Sequence, residues 1–190
     1  FTPTRDFNAD DVLFTFQRLL DANHPFRQAY PSESPYFTDM GLNTTIKSVE
    51  KLDEHSVRFN LNNVDAAFVQ NLAMSFASVQ SAEYAAQLLE QGKAADINQK
   101  PVGTGPFVFK RYQKDSQIRY VANKQYWKPE DVKLDNLVFA ITPDAASRLQ
   151  KLKAGECQVS GYPRPSDIEV MKQDPNLRVL QQAGFNLGLL

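Results

Sequence analysis

Pro101-Val102-Gly103-Thr104-Gly105-Pro106 constrains this chain more than any other segment. Proline withholds a backbone donor and fixes φ, and glycine adds conformational freedom, so no helix interior or central strand runs through it. The chain therefore divides there. Helical patterns and one hairpin precede the break, and a strand-rich pattern follows it. This mixture of strands and helices predicts an α/β or α+β architecture.

Before the break, Asn8 is placed to cap a helix over Ala9–Leu20, with Asp10 and Asp11 in the first turn, where the helix dipole favours acids. Val12, Phe16, Leu19 and Leu20 share one face of it. The stretch 25–41, with three prolines, reads as an ordered loop. Residues 45–52 and 56–61 alternate apolar and polar and predict an antiparallel hairpin with one buried face. A short helix is expected over 65–74, and Ser81 caps another over 82–91. After the break, 107–112 and 118–121 read as strands around a polar turn, and 137–141 as a buried strand. Thr142-Pro143-Asp144 opens a helix, with Thr142 as cap and Pro143 as the first helical residue. It runs to Lys153 and ends at Gly155; 157–159 forms a short strand, 166–173 a helix and 177–181 a strand.

The net charge of −1 and the absence of a basic run give no support to nucleic acid or to an anionic membrane surface as partners. Hydrophobic residues at 42% and charged residues at 23% are the balance of a globular chain able to bury a core. No apolar stretch approaches the roughly 20 residues of a membrane helix. Phe1-Thr2-Pro3-Thr4 and Phe185-Asn186-Leu187-Gly188-Leu189-Leu190 both read as internal to a longer chain.

Chemical motifs are sparse. Gly103-Thr104-Gly105 lacks the third glycine and the helix of a dinucleotide site and reads as a turn whose glycines permit hinge rotation. His24 and His55 have no metal-ligand spacing and read as exposed or capping residues, so no metal is expected. There is no Gly-x-Ser-x-Gly elbow, and Glu130-Asp131 reads as solvated charge, so no enzyme is expected. Tyr162, in the stiff loop Gly161-Tyr162-Pro163-Arg164-Pro165, can project toward a ligand or pack into a core. Tyr36, after Pro35, is a second loop aromatic open to the same two readings. Cys157, the sole cysteine, is a buried small hydrophobe in an intracellular protein and the partner of a cysteine elsewhere in an exported one.

Six runs in order resemble the extracytoplasmic solute-binding proteins of peptide ABC transporters, of the dipeptide-binding type. They are Pro3-Thr4-Arg5 with Asn8-Ala9-Asp10-Asp11-Val12; Leu72-Ala73-Met74 with Phe76-Ala77-Ser78; Pro101 to Phe107; Tyr112 to Ser116; Ile141-Thr142-Pro143-Asp144-Ala145; and Gly155-Glu156-Cys157-Gln158-Val159. The resemblance implies part of a two-lobed periplasmic-binding-protein-like fold, with a mixed sheet and an accessory domain. It assigns residues 1–102 to the accessory domain, 103–182 to the first-lobe sheet domain and 183–190 to a strand crossing toward a second lobe. It implies capture of dipeptides or peptide-like solutes such as glutathione, with haem as the alternative ligand and no resident cofactor. It further implies delivery to the permease subunits of an ABC importer by a protein that is monomeric at full length. Such a protein works in the periplasm, free or anchored as a lipoprotein. The residues it brings to the ligand are Tyr162 and the crossing strand Gly184-Phe185-Asn186, where an extended peptide adds as a β-strand. It also implies a disulfide from Cys157 to a cysteine outside this chain.

Overall fold

The computed structural model describes residue 1, residues 3–182 and residue 184. Two compact units emerge from it: Phe1–Lys110 with Tyr120–Leu137, and Arg111–Arg119 with the described part of Val138–Leu190.

In the first unit, α1 (Ala9–Leu20) starts on a reciprocal cap: Asn8 Oδ1 accepts from Asp10 N at 2.9 Å, and Asp11 Oδ2 accepts from Asn8 N at 3.0 Å. Asp11 does more than favour the dipole. It is buried, takes two bonds from Arg5 at 2.8 and 2.9 Å, and accepts from Ala82 N at 2.8 Å. One carboxylate thus joins the segment before α1 to the start of a helix some 70 residues later. Thr15, fully buried, adds a second link by accepting from Gln80 N at 2.9 Å.

The stretch expected as a loop instead holds α2 (Pro25–Ala29) and α3 (Pro35–Asp39), and α4 (Leu42–Thr45) follows it directly. Proline breaks a helix interior but suits its first position, where the missing N–H has no partner to lose. Pro25 and Pro35 both sit there, and each short helix buries one phenylalanine, Phe26 or Phe37. Strands β1 (Ile46–Lys51) and β2 (Val57–Leu61) form the expected antiparallel hairpin, with Val49 opposite Phe59. The helix expected over 65–74 shortens to α5 (Phe68–Asn71), followed by a 3₁₀ turn at Ser75–Ala77. Helix α6 (Ala82–Glu90) carries its Ser81 cap, and α7 (Asp96–Gln99) follows.

Two apolar clusters hold this unit. Phe16, Phe37, Leu42, Ile46, Val49 and Phe68 form the first, beneath the hairpin. Phe26, Tyr84, Ala85, Leu88, Ala94 and Ile97 form the second, around α6.

Residues 101–106 have no regular structure, as expected. Three strands follow, β3 (Phe107–Gln113), β4 (Gln117–Ala122) and β5 (Asn136–Ala140), in the order β3-β4-β5, and the sheet contributes residues to each unit. Asp115, with φ 58°, makes the turn between β3 and β4; a short polar side chain tolerates that left-handed backbone. The reading of β5 as buried is corrected: Val138 and Phe139 are 46% and 54% exposed. An apolar run reports the wish for cover, not the presence of it among these residues.

In the second unit, α8 (Ala145–Lys153) is capped by Asp144, not Thr142. Asp144 Oδ1 accepts from Ser147 N at 2.7 Å, which leaves Pro143 before the cap and not inside the helix. Helix α9 (Ile168–Gln173) forms after a 3₁₀ turn at Pro165–Asp167 and buries Met171. The strands expected at 157–159 and 177–181 are not formed. A strand exists only through its neighbour's hydrogen bonds, and neither segment pairs with another strand among the described residues.

Candidate ligand-contact loop

Helix α8 positions the loop that carries Tyr162. Gly155, with φ 74°, ends the helix in the left-handed turn that suits glycine, and the N–H groups of Glu156 and Cys157 return to the Lys151 carbonyl at 3.0 and 3.3 Å. The chain then reaches Tyr162, whose φ of 54° puts a bulky side chain in the same left-handed region. That costs about 1–3 kcal/mol and persists only where neighbouring contacts over-determine it.

The contact is supplied by Arg148. Its Nη1 donates to the carbonyls of Thr142 and Pro143 at 2.9 and 2.6 Å, and its Nη2 to the Tyr162 carbonyl at 3.0 Å. One planar guanidinium therefore ties the segment before α8 to the loop after it. Its Nε is buried with no partner, so the two Nη groups carry the bracing. Lys151 Nζ adds a 3.3 Å bond to Thr142 Oγ1. On the far side of the loop, Arg164 chelates Asp167 at 2.9 and 3.1 Å. That bonding holds the Asp167 carboxyl below its ordinary range, and the Ser147 bonds do the same for Asp144.

Held from the backbone side, the Tyr162 ring is 94% exposed. It packs into no core among the described residues. Its ring is free for a ligand, its backbone is fixed, and rigid aromatic placement of this kind keeps the ordering cost of a contact low.

Tyr36 is 62% exposed and belongs to α3 in the first unit. Gly103 and Gly105 both have open space where a Cβ would stand, and neither is in the left-handed region. Gly105 is anchored through its carbonyl, which accepts from Asn123 Nδ2 at 2.8 Å. Gly184 is exposed, and Phe185 and Asn186 lie outside the described residues. Cys157 is a half-buried free thiol. His24 serves as a cap: its Nδ1 accepts from Phe26 N at 3.2 Å, and burial lowers its pKa, with Arg18 adding to the effect and Asp21 opposing it. No group of three or more metal-ligating side chains occurs among the described residues.

Arg148 was not legible as a site residue. Its partners are three carbonyl oxygens, which any sequence supplies, so no spacing marks it.

Comparison with known proteins adds the family. Residues 1–190 match the bacterial extracellular solute-binding proteins, family 5 Middle. The chain is 70% identical over its whole length to di/tripeptide-binding protein 1 of Pseudomonas aeruginosa and covers 35% of it. It is 48% identical to heme-binding protein A of Haemophilus influenzae, again over the whole chain and 35% of the relative. Among solved structures, a dipeptide binding protein from Pseudoalteromonas sp. SM9913 in complex with Met-Leu matches with a TM-score of 0.86 and 40% identity, over 92% of this chain and 34% of that one. The chain thus spans about a third of the length of its relatives, and its mixed helix-and-sheet fold is theirs over that third. It belongs to the bacterial extracellular solute-binding proteins of family 5.

Proposed function

We propose that this chain is part of the substrate-binding subunit of an ABC importer, which captures dipeptides or peptide-like solutes such as glutathione in the periplasm and delivers them to the membrane permease. The observation that carries this reading is 70% identity, across every part of the chain, to a di/tripeptide-binding protein. The bound Met-Leu of the Pseudoalteromonas relative supports the same solute class. In this reading the protein binds and releases without turnover, is monomeric, needs no resident cofactor, and is either free in the periplasm or held there as a lipoprotein. Residues 1–102 belong to the accessory domain, 103–182 to the first-lobe sheet domain and 183–190 to the crossing strand. Gly103 and Gly105 form a hinge. Tyr162 packs on the solute, with Tyr36 as a second aromatic contact, and Gly184-Phe185-Asn186 receives an extended peptide as an added strand.

Thermal melts of the full-length protein with dipeptides, longer peptides, reduced and oxidised glutathione, and haem test it. A solute at 100 times its Kd adds about 2.7 kcal/mol of stability, and a dipeptide is expected to produce that shift. Tyr162→Ala is expected to weaken peptide affinity by up to about tenfold, since one well-placed aromatic contact contributes about 0.5–1.5 kcal/mol. Unchanged affinity by calorimetry removes Tyr162 from the site. Haem carriage is the second reading, favoured by the Haemophilus relative. A melt that responds to haem alone puts it first.

Cys157 pairs, in this reading, with a cysteine outside the present chain, as an oxidising compartment allows. Maleimide labelling of the exported protein under denaturing, non-reducing conditions is expected to leave Cys157 unmodified until a reductant is added. Ready labelling without reductant would show that the thiol is free.

A further inference from the structure

A cavity of about 350 Å³ lies among α1, α2 and α3 of the first unit, lined in part by Arg18, Leu19, Phe26, Arg27 and Phe37. It is separate from the Tyr162 loop in sequence and shares no residue with it. Arg18 reaches it from α1. Its Nε is buried without a hydrogen-bond partner, and its guanidinium carbon stands 5.8 Å from the centroid of the Phe14 ring. Burial pulls its pKa below the ordinary arginine value, yet a guanidinium stays charged under any physiological condition. Arg27 donates one bond, from Nη1 to the Leu19 carbonyl at 3.0 Å, and Nη2 and Nε remain for another acceptor.

Neither arginine takes part in an ion pair among the described residues. Two guanidinium groups that line one cavity and have no ion-pair partner repel each other, and an anion between them offsets that repulsion. Two acids also line the cavity, Glu33 and Asp39, but both are exposed and solvated, whereas the arginines are half-buried. Ser34, half-buried on the lining, makes no capping bond with its hydroxyl and offers a further donor.

We infer that this cavity binds a small carboxylate, seated on the guanidinium groups of Arg18 and Arg27. Guanidinium forks match the two oxygens of a planar carboxylate, and the apolar surfaces of Leu19, Phe26 and Phe37 suit a short carbon chain behind it. The solvated acids oppose a second negative charge, which sets a monocarboxylate above phosphate. The site is independent of the solute-binding reading.

The test uses the full-length protein with ¹⁵N-labelled arginine and follows the Nε–H resonances at constant ionic strength. Propionate, its neutral isostere propionamide and inorganic phosphate serve as probes. The Arg18 resonance, identified by its loss in Arg18→Lys, is expected to shift saturably with propionate and not with propionamide. Arg27→Gln is expected to raise the apparent Kd for propionate at least tenfold while leaving the peptide-induced melting shift intact. No saturable shift, an equal response to propionamide, tighter binding of phosphate, or a crystal structure in which Glu33 or Asp39 bonds directly to the Arg18 guanidinium overturns the assignment. Should peptides give no melting shift while propionate still moves the Arg18 signal, the solute reading falls and this one stands.

Discussion

Asp11→Ala is expected to destabilise the full-length protein by about 3–5 kcal/mol, the range for removing one partner of a buried ion pair. The Asp11 side chain is 5% exposed and that of Arg5 31%. The truncation strands more than the guanidinium. The N–H groups of Asn8 and Ala82, which donate at 3.0 and 2.8 Å, lose their acceptor inside the fold, and each unsatisfied buried donor costs about 1–3 kcal/mol. Asparagine is not a rescue, because its amide would turn a donor toward donors. Burial by itself pushes the Asp11 carboxyl up, but the Arg5 bonds and the two backbone N–H groups outweigh it, and the net shift is downward. A depressed folded pKa fixes the sign of the pH dependence. The stabilisation is complete above the ordinary aspartate value of 3.8 and is lost as pH falls through the lower folded value. Urea unfolding from pH 6 down to pH 2 should therefore show wild type and Asp11→Ala converging below about pH 4. A gap that stays constant to pH 2 would mean the carboxylate's charge is not what stabilises the junction.

Local chemistry accounts for what the sequence revealed of this fold. Asn8, Ser81 and the alternating strands of the hairpin act on residues within a few positions of themselves, so the cap of α1, the start of α6 and β1–β2 are all legible. The break at 101–106 is legible for the same reason. Pro25 and Pro35 are ambiguous in sequence because a proline both stops and starts helices. Only the burial of Phe26 and Phe37 chooses between the two. The same proline logic points to Thr142 as the cap of α8, whereas Asp144 holds the Ser147 N–H at 2.7 Å. Segments whose partners lie far off were not legible. The 157–159 and 177–181 patterns are strand-like, but strand formation is a property of a pair. The candidate site divides along the same line. Tyr162 stands out in sequence, flanked by Gly161 and Pro163, whereas its left-handed φ and the Arg148 clamp depend on tertiary placement.

Phe16→Ala is expected to cost about 3–5 kcal/mol, the usual range for truncating a fully buried aromatic. Phe16 is 3% exposed and meets Phe59 edge-on, with centroids 4.9 Å apart and planes at 88°. Phe59 in turn meets Phe68 at 5.5 Å, so one ring couples α1, β2 and α5. Phe14, two residues earlier, leaves the same helix toward the other cluster and meets Phe26 edge-on at 5.4 Å. It is only partly buried, so Phe14→Ala should cost less than Phe16→Ala. Helix α1 is thus the shared wall of both clusters, and each variant should loosen a different half of the unit. In native-state hydrogen exchange, Phe16→Ala should lower protection chiefly in the β1–β2 hairpin and Phe14→Ala chiefly in α2 and α6. The two sets of contacts share only the helix backbone, so their free energies should add within about 0.5 kcal/mol if α1 is rigid. A clearly larger cost in the double variant would show that α1 keeps its helical state only while it is packed on both sides. Loss of protection spread evenly over both clusters by either single variant would show that they unfold as one cooperative body.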